Sequence, residues 1–100
     1  MAQKKSGNWP FEDPPNVACV SCKQVFRLGK PILWVTHDDD DGGWQFLYGG
    51  PLTDEDAMVV GLKTVVKLDP SIVELADLPC GWTAERSAIG KPWKRRKRSA

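Results

Sequence analysis

Hydrophobic and polar positions along the chain predict several short β-strands. Residues 17–26 (VACVSCKQVF) have the β-branched content of a strand, and residues 32–36 (ILWVT) form a compact apolar run. In residues 44–48 (WQFLY) the three aromatic side chains fall on one face of the predicted strand, because successive side chains point to opposite faces. Residues 62–68 (LKTVVKL) also have the composition of a strand.

Two short helices are predicted from capping signals. Thr53 precedes three acidic residues, which suit the positive end of a helix dipole, and we expect this helix to run to about residue 60. Asp69 is a good N-cap and Pro70 fits the first helical position, which predicts a second helix to about residue 76. The pattern therefore predicts an α+β fold, a small, mostly antiparallel sheet of three or four strands with two short helices.

The composition divides the chain into three parts. Residues 1–16 are polar, contain three prolines and are predicted to form an irregular N-terminal arm. Residues 17–93 are predicted to form a single α+β domain, since 100 residues is an ordinary domain size. Residues 94–100 (KRRKRSA) are highly charged and almost without apolar side chains, so we predict a disordered basic tail.

Composition also bears on the compartment. No apolar run approaches the ~20 residues of a membrane-spanning helix, and the first residues lack the apolar core of a secretory signal. Three cysteines are an odd number, which does not suggest a disulfide framework and fits a reducing compartment. We therefore expect a cytoplasmic bacterial protein with no membrane partner and no cofactor.

The net charge of +1 conceals a strong asymmetry. Residues 91–100 carry six basic side chains and no acid, whereas residues 1–90 carry 8 basic and 13 acidic side chains. Nucleic-acid binding through the tail is one alternative function, since basic side chains bind phosphates. The acidic body argues against it, because dedicated nucleic-acid domains place basic residues on a folded face. The residues of this alternative site are Lys94, Arg95, Arg96, Lys97 and Arg98.

The stretch THDDDDGG, residues 36–43, lies between two predicted strands and contains hairpin signals, because glycine tolerates positive φ. An EF-hand calcium loop needs glycine at its sixth position and glutamate at its twelfth. With Gly42 in the sixth position the twelfth residue is Tyr48, and with Gly43 it is Gly49. We therefore predict an acidic hairpin turn, and a weak divalent-ion site at this loop remains an alternative.

The cysteines and the single histidine suggest a second metal alternative. Cys19 and Cys22 form a C-x-x-C pair, and His37 and Cys80 would complete the four ligands that structural zinc requires. In a regular strand, residues three apart point to opposite faces, so a turn would have to replace the predicted strand. A nucleophile constellation of one cysteine, His37 and an acid has no support in the spacing. We therefore predict that the protein is not an enzyme.

Two longer stretches resemble a family of small uncharacterised bacterial proteins. Residues 31–50 (PILWVTHDDDDGGWQFLYGG) contain the pattern HDxDDGxWQFLxG, and residues 65–95 contain DPSxxELADLPxGWxAxR. The chain is more distantly similar to immunity-protein-like domains of bacterial toxin systems. This resemblance implies no activity or substrate, but it implies that the acidic loop and residues 77–82 belong to one recurring unit.

The predicted function is non-enzymatic binding of an unidentified protein partner, by an immunity-like domain. An acidic block beside aromatic residues suggests a docking surface, because aromatic anchors commonly dominate interfaces. The predicted docking residues are Asp38, Asp39, Asp40, Asp41, Trp44 and Trp82.

Overall fold

A computed structural model describes residues 9–98, which build one six-stranded β-sheet. The strands are β1 (Ala18–Cys22), β2 (Trp34–His37), β3 (Trp44–Leu47), β4 (Ala57–Gly61), β5 (Trp82–Glu85) and β6 (Lys94–Lys97). They lie in the order β4-β1-β3-β2-β5-β6. Neighbouring strands are antiparallel except β1 and β3, which run parallel.

Helical segments supply the second layer of the fold. They are α1 (Lys23–Phe26), α2 (Leu62–Leu68) and two 3-10 helices, Asp54–Asp56 and Pro70–Leu75. Val35 pairs with Phe46 on β3 and Ala84 on β5, so these three side chains share one face of the sheet. All three are buried in one cluster with apolar residues of α2 and the second 3-10 helix, namely Leu62, Val65, Ile72 and Leu75.

The predicted sheet of three or four mostly antiparallel strands is wrong, although the fold is still a small α+β domain. The sheet has six strands, and it is mixed because β1 runs parallel to β3. One of the additional strands is β4, whose residues 57–60, predicted as the end of a helix, pair with β1. The helix that Thr53 begins is only the 3-10 helix Asp54–Asp56. Val59 and Val60 pair opposite β1, and these β-branched residues favour a strand.

Residues 62–68 also differ from the prediction, which made them a strand. They form α2, in which Leu62 and Val65 are fully buried. A spacing of three places both side chains on one side of a helix, whereas in a strand they would point to opposite faces. The burial of both residues against the sheet therefore requires a helix.

The predicted disordered tail is a strand over most of its length. Lys94–Lys97 form β6, which pairs with β5 from Glu85↔Lys94 to Trp82↔Lys97. The rest of this prediction, residues 99–100, lies outside the described residues. In the predicted N-terminal arm, residues 9–16 have no helix or strand but include the fully buried Phe11, and residues 1–8 lie outside the described part.

Two local predictions are confirmed. β2 and β3 form an antiparallel hairpin around the acidic segment, with His37 opposite Trp44. Asp69 is the N-cap of the 3-10 helix that Pro70 begins, and its side chain accepts a hydrogen bond from the Ser71 N–H. Within residues 9–98, no helix is long and apolar enough to cross a membrane.

Candidate functional site

The acidic loop, Asp38–Asp41, is the turn of the β2–β3 hairpin. The Asp38 N–H donates to the Gly43 carbonyl at 2.7 Å, and the Gly42 N–H donates to the Asp38 carbonyl at 3.1 Å. Asp41 Oδ1 accepts from the Gly43 N–H at 2.8 Å. Gly42 has a φ of 72°, a left-handed conformation that side chains other than glycine rarely adopt. The loop is therefore a closed turn, in which Asp39, Asp40 and Asp41 are exposed and Asp38 is partly buried.

The four carboxylates of the loop have unequal surroundings. Asp38 accepts from Gln45 Nε2 at 3.0 Å and from Arg98 Nη1 at 3.1 Å. The Asp39 and Asp40 side chains are exposed and make no hydrogen bond or ion pair with any residue of 9–98. The loop lines a cavity of about 590 Å³ together with Cys80, Gly81, Lys97 and Arg98, and we call this cavity the acidic cleft.

The end of the basic segment is held at the acidic cleft by two contacts. The Arg98 N–H donates to the Gly81 carbonyl at 2.8 Å, and its guanidinium pairs with Asp38. Gly81 is fixed in turn, because its N–H donates to the His37 carbonyl at 2.7 Å. The Arg98 side chain of this ion pair is half-exposed, and the Asp38 side chain is 23% exposed. One arginine of the chain therefore already occupies part of the acidic loop.

The two arginines of β6 are also paired with carboxylates. Arg95 contacts Asp77 at 2.9 Å, and Arg96 contacts Glu85 at 3.3 Å. Successive residues of a strand point to opposite faces, so the basic residues of β6 are divided between both faces of the sheet. The structure thus places the predicted nucleic-acid residues on a paired edge strand, and it does not gather them into one basic face.

The predicted aromatic anchors occupy different environments. Trp44 is only 3% exposed, and its Nε1–H donates to Asp13 Oδ2 at 3.0 Å. Its ring stacks on His37 and on Phe46, with centroids 3.9 and 5.7 Å apart. Trp44 therefore belongs to the core, and the prediction that it presents a docking surface is wrong. Trp82 is half-buried on β5, opposite His37 and Lys97.

The four predicted zinc ligands do not converge on one site. Cys19 and Cys22 are buried on β1, which remains a regular strand, whereas Cys80 is exposed. Within residues 9–98, no three Cys, His, Asp or Glu side chains converge in a way that would hold a metal ion, and this includes the acidic loop. Burial, and to a lesser extent the nearby Asp13 carboxylate, raises the pKa of Cys19 to about 12. Cys19 is therefore a neutral core thiol.

His37 and Cys80 form a pair that the spacing along the sequence did not indicate. His37 Nε2 lies 3.6 Å from Cys80 Sγ, and His37 Nδ1 lies 2.7 Å from the Leu78 carbonyl oxygen. A carbonyl oxygen can only accept, so Nδ1 carries the hydrogen, and Nε2 of the neutral ring directs its lone pair at the thiol. The signal that would have found the pair is the β2–β5 register, which sets His37 opposite Trp82 and thus near Cys80.

No protein-family model, curated protein or solved structure matches this chain. The assignment of a function therefore depends on the acidic cleft and its neighbouring residues.

Proposed function

We propose that this protein is a non-enzymatic protein-binding domain whose acidic cleft takes a basic segment of a partner polypeptide. The observation that carries the proposal is the position of Arg98, whose guanidinium pairs with Asp38 while its N–H donates to the Gly81 carbonyl. In this arrangement the Arg98 guanidinium has a carboxylate partner and the Arg98 N–H has a carbonyl acceptor. A partner segment with arginine or lysine can use the same two kinds of contact.

The cleft has unused capacity for such a segment. Asp39 and Asp40 have no partner within residues 9–98, so two exposed carboxylates remain available beside the occupied one. Blocks of like charge steer oppositely charged partners and favour fast association.

The contact made by Arg98 does not prevent binding. Exposed ion pairs contribute only about 0.2–1 kcal/mol, and the Arg98 side chain is half-exposed. A basic segment can therefore displace the Arg98 guanidinium or bind beside it at Asp39 and Asp40. In the first case the free chain holds its own arginine where the partner's cationic group would lie.

The test uses a fluorescent synthetic peptide with the sequence of residues 94–100 (KRRKRSA) and the full chain. We expect salt-sensitive binding that Asp39→Asn/Asp40→Asn weakens. The loss of two exposed ion pairs at about 0.5–1 kcal/mol each corresponds to roughly five- to thirtyfold in Kd. Arg98→Ala should tighten binding, because it frees Asp38.

The matched control is Asp54→Asn/Glu55→Gln. It changes the net charge by the same amount at the exposed 3-10 helix between β3 and β4, away from the acidic cleft. We expect this variant to bind the peptide as the parent chain does. Equal weakening in the two double variants would mean that only overall charge matters, and the proposed site would be wrong.

A further inference from the structure

We infer that Cys80 is a nucleophilic thiol activated by His37, and that it exchanges with low-molecular-weight disulfides, cationic ones above all. This inference goes beyond the proposed binding function and does not depend on it. Its basis is the Cys80 Sγ to His37 Nε2 distance of 3.6 Å, together with the exposure of Cys80 at the acidic cleft. A nucleophile, a base within reach and a third group that orients the base are the usual parts of such a site.

The base is held in one orientation from two directions. The Leu78 carbonyl accepts from Nδ1 at 2.7 Å, which fixes the tautomer of the neutral ring. The Trp44 ring is stacked on the imidazole with an interplanar angle of 13°, and it is itself fixed by its hydrogen bond to Asp13. The stack fixes the plane of the His37 ring, and a flip of the ring within that plane would lose the hydrogen bond to Leu78.

The three cysteines differ in a way that makes Cys80 selective. Cys19 and Cys22 are 2% and 0% exposed, so a reagent in solution cannot reach them while the chain is folded. Cys80 is exposed and has a histidine as its neighbour. Thiol chemistry of the native protein should therefore occur at a single residue.

The reaction is a balanced exchange. The Cys80 proton passes to His37 Nε2, and the thiolate sulfur attacks one sulfur of the external disulfide. A new S–S bond joins Cys80 to half of the reagent, and the original S–S bond breaks. The leaving thiolate takes the proton from the imidazolium, so that one free thiol is released and the histidine returns to its neutral form.

The charge of the cleft selects the reagent. The cleft presents the four carboxylates of the acidic loop against two cations, Lys97 and Arg98. This excess of negative charge raises the local concentration of cationic molecules. Cystamine, which has two ammonium groups, should therefore react faster than bis(2-hydroxyethyl) disulfide, and dithiodipropionate should react slowest.

The experiment measures the rate of mixed-disulfide formation at each cysteine, by acid quenching and peptide mass spectrometry at neutral pH. Each rate is divided by the rate of the same reagent with the free peptide LPCGW, which has the sequence of residues 78–82. An ordinary thiol is only a few per cent thiolate at this pH, so we expect an enhancement of about tenfold at Cys80. A native rate no higher than that of the peptide would overturn the inference.

Two variants separate the base from the cleft. His37→Gln, checked for folding by near-ultraviolet circular dichroism, should lose the enhancement with all three reagents. Asp39→Asn/Asp40→Asn should keep the enhancement with the neutral reagent and lose the preference for cystamine. An unchanged rate in folded His37→Gln refutes the role of the histidine. Equal relative rates for the three reagents in the parent chain refute the assignment of cationic substrates. Neither result depends on peptide binding, so failure here is distinct from failure of the proposed function.

Discussion

Replacing Arg86 with methionine should destabilise the fold strongly, because this arginine holds three segments together. Its side chain is only 1% exposed. Nε and Nη2 donate to the Ile32 carbonyl at 3.1 and 3.0 Å, and Nη1 donates to Ser71 Oγ at 2.9 Å. Nη2 also contacts Asp69 Oδ2 at 2.7 Å, and the guanidinium carbon lies 4.1 Å from the centre of the Trp93 ring.

The size of the effect follows from what methionine would leave behind. The aliphatic part of the side chain is kept, but the Asp69 carboxylate, whose side chain is 12% exposed, loses its charged partner. The Ile32 carbonyl loses both of its arginine donors. Removing one partner of a buried ion pair costs about 3–5 kcal/mol. Domains of this size have total stabilities of about 5–15 kcal/mol, so much of the stability should be lost.

The assay is equilibrium urea unfolding followed by tryptophan fluorescence. The matched control is Arg96→Met, because Arg96 also pairs with a carboxylate but its side chain is 66% exposed. We expect this control to lose no more than about 1 kcal/mol. If Arg86→Met were no more destabilising than Arg96→Met, the argument that burial makes the Arg86 pair important would be refuted.

Two further predictions concern the buried cysteines. The pKa of the Cys19 thiol is about 12 in the folded chain, against 9.0 for an ordinary thiol in the unfolded chain. Between these two pH values the thiol keeps its proton in the folded chain and loses it in the unfolded chain. The free energy of unfolding should therefore fall as pH rises from about 9 towards 12, and Cys19→Ala should show a shallower fall in urea titrations across this range. Because residues 9–98 gather no three metal-ligating side chains, protein purified without chelator should contain no stoichiometric zinc by elemental analysis. One zinc per chain would contradict the separation of Cys19 and Cys22 from His37.

The elements that could be predicted from the sequence are those determined by neighbouring residues. The acidic hairpin follows from glycines at the turn, and Gly42 indeed has the positive φ that the turn requires. The N-cap at Asp69 likewise depends on a side chain and an N–H only two residues apart. Such signals are complete within a few residues, so they can be recognised without knowledge of distant contacts.

The incorrect assignments lie where a distant partner decides the structure. Residues 57–61 follow a helix-start signal, but their pairing with β1, about 40 residues earlier in the chain, makes them a strand. Residues 94–97 have the composition of a disordered tail, yet β5 supplies a hydrogen-bonding edge and the body supplies carboxylates for the arginines. The Cys80–His37 pair depends on the β2–β5 register in the same way, since 43 residues separate its members.

The position of β6 at the edge of the sheet explains why the basic residues are concentrated in residues 91–100 while the rest of the chain is acidic. Lysine and arginine on an edge strand discourage pairing with other chains, and here the two arginines of β6 also pair with carboxylates of the body. In the acidic loop, Arg98 satisfies Asp38, and the turn itself engages Asp41. The Asp39 and Asp40 carboxylates have no hydrogen-bond or ion-pair partner within residues 9–98. The proposed binding capacity of the loop is therefore the part of its negative charge that neither Arg98 nor the turn engages, and this is why these two aspartates decide the proposed function.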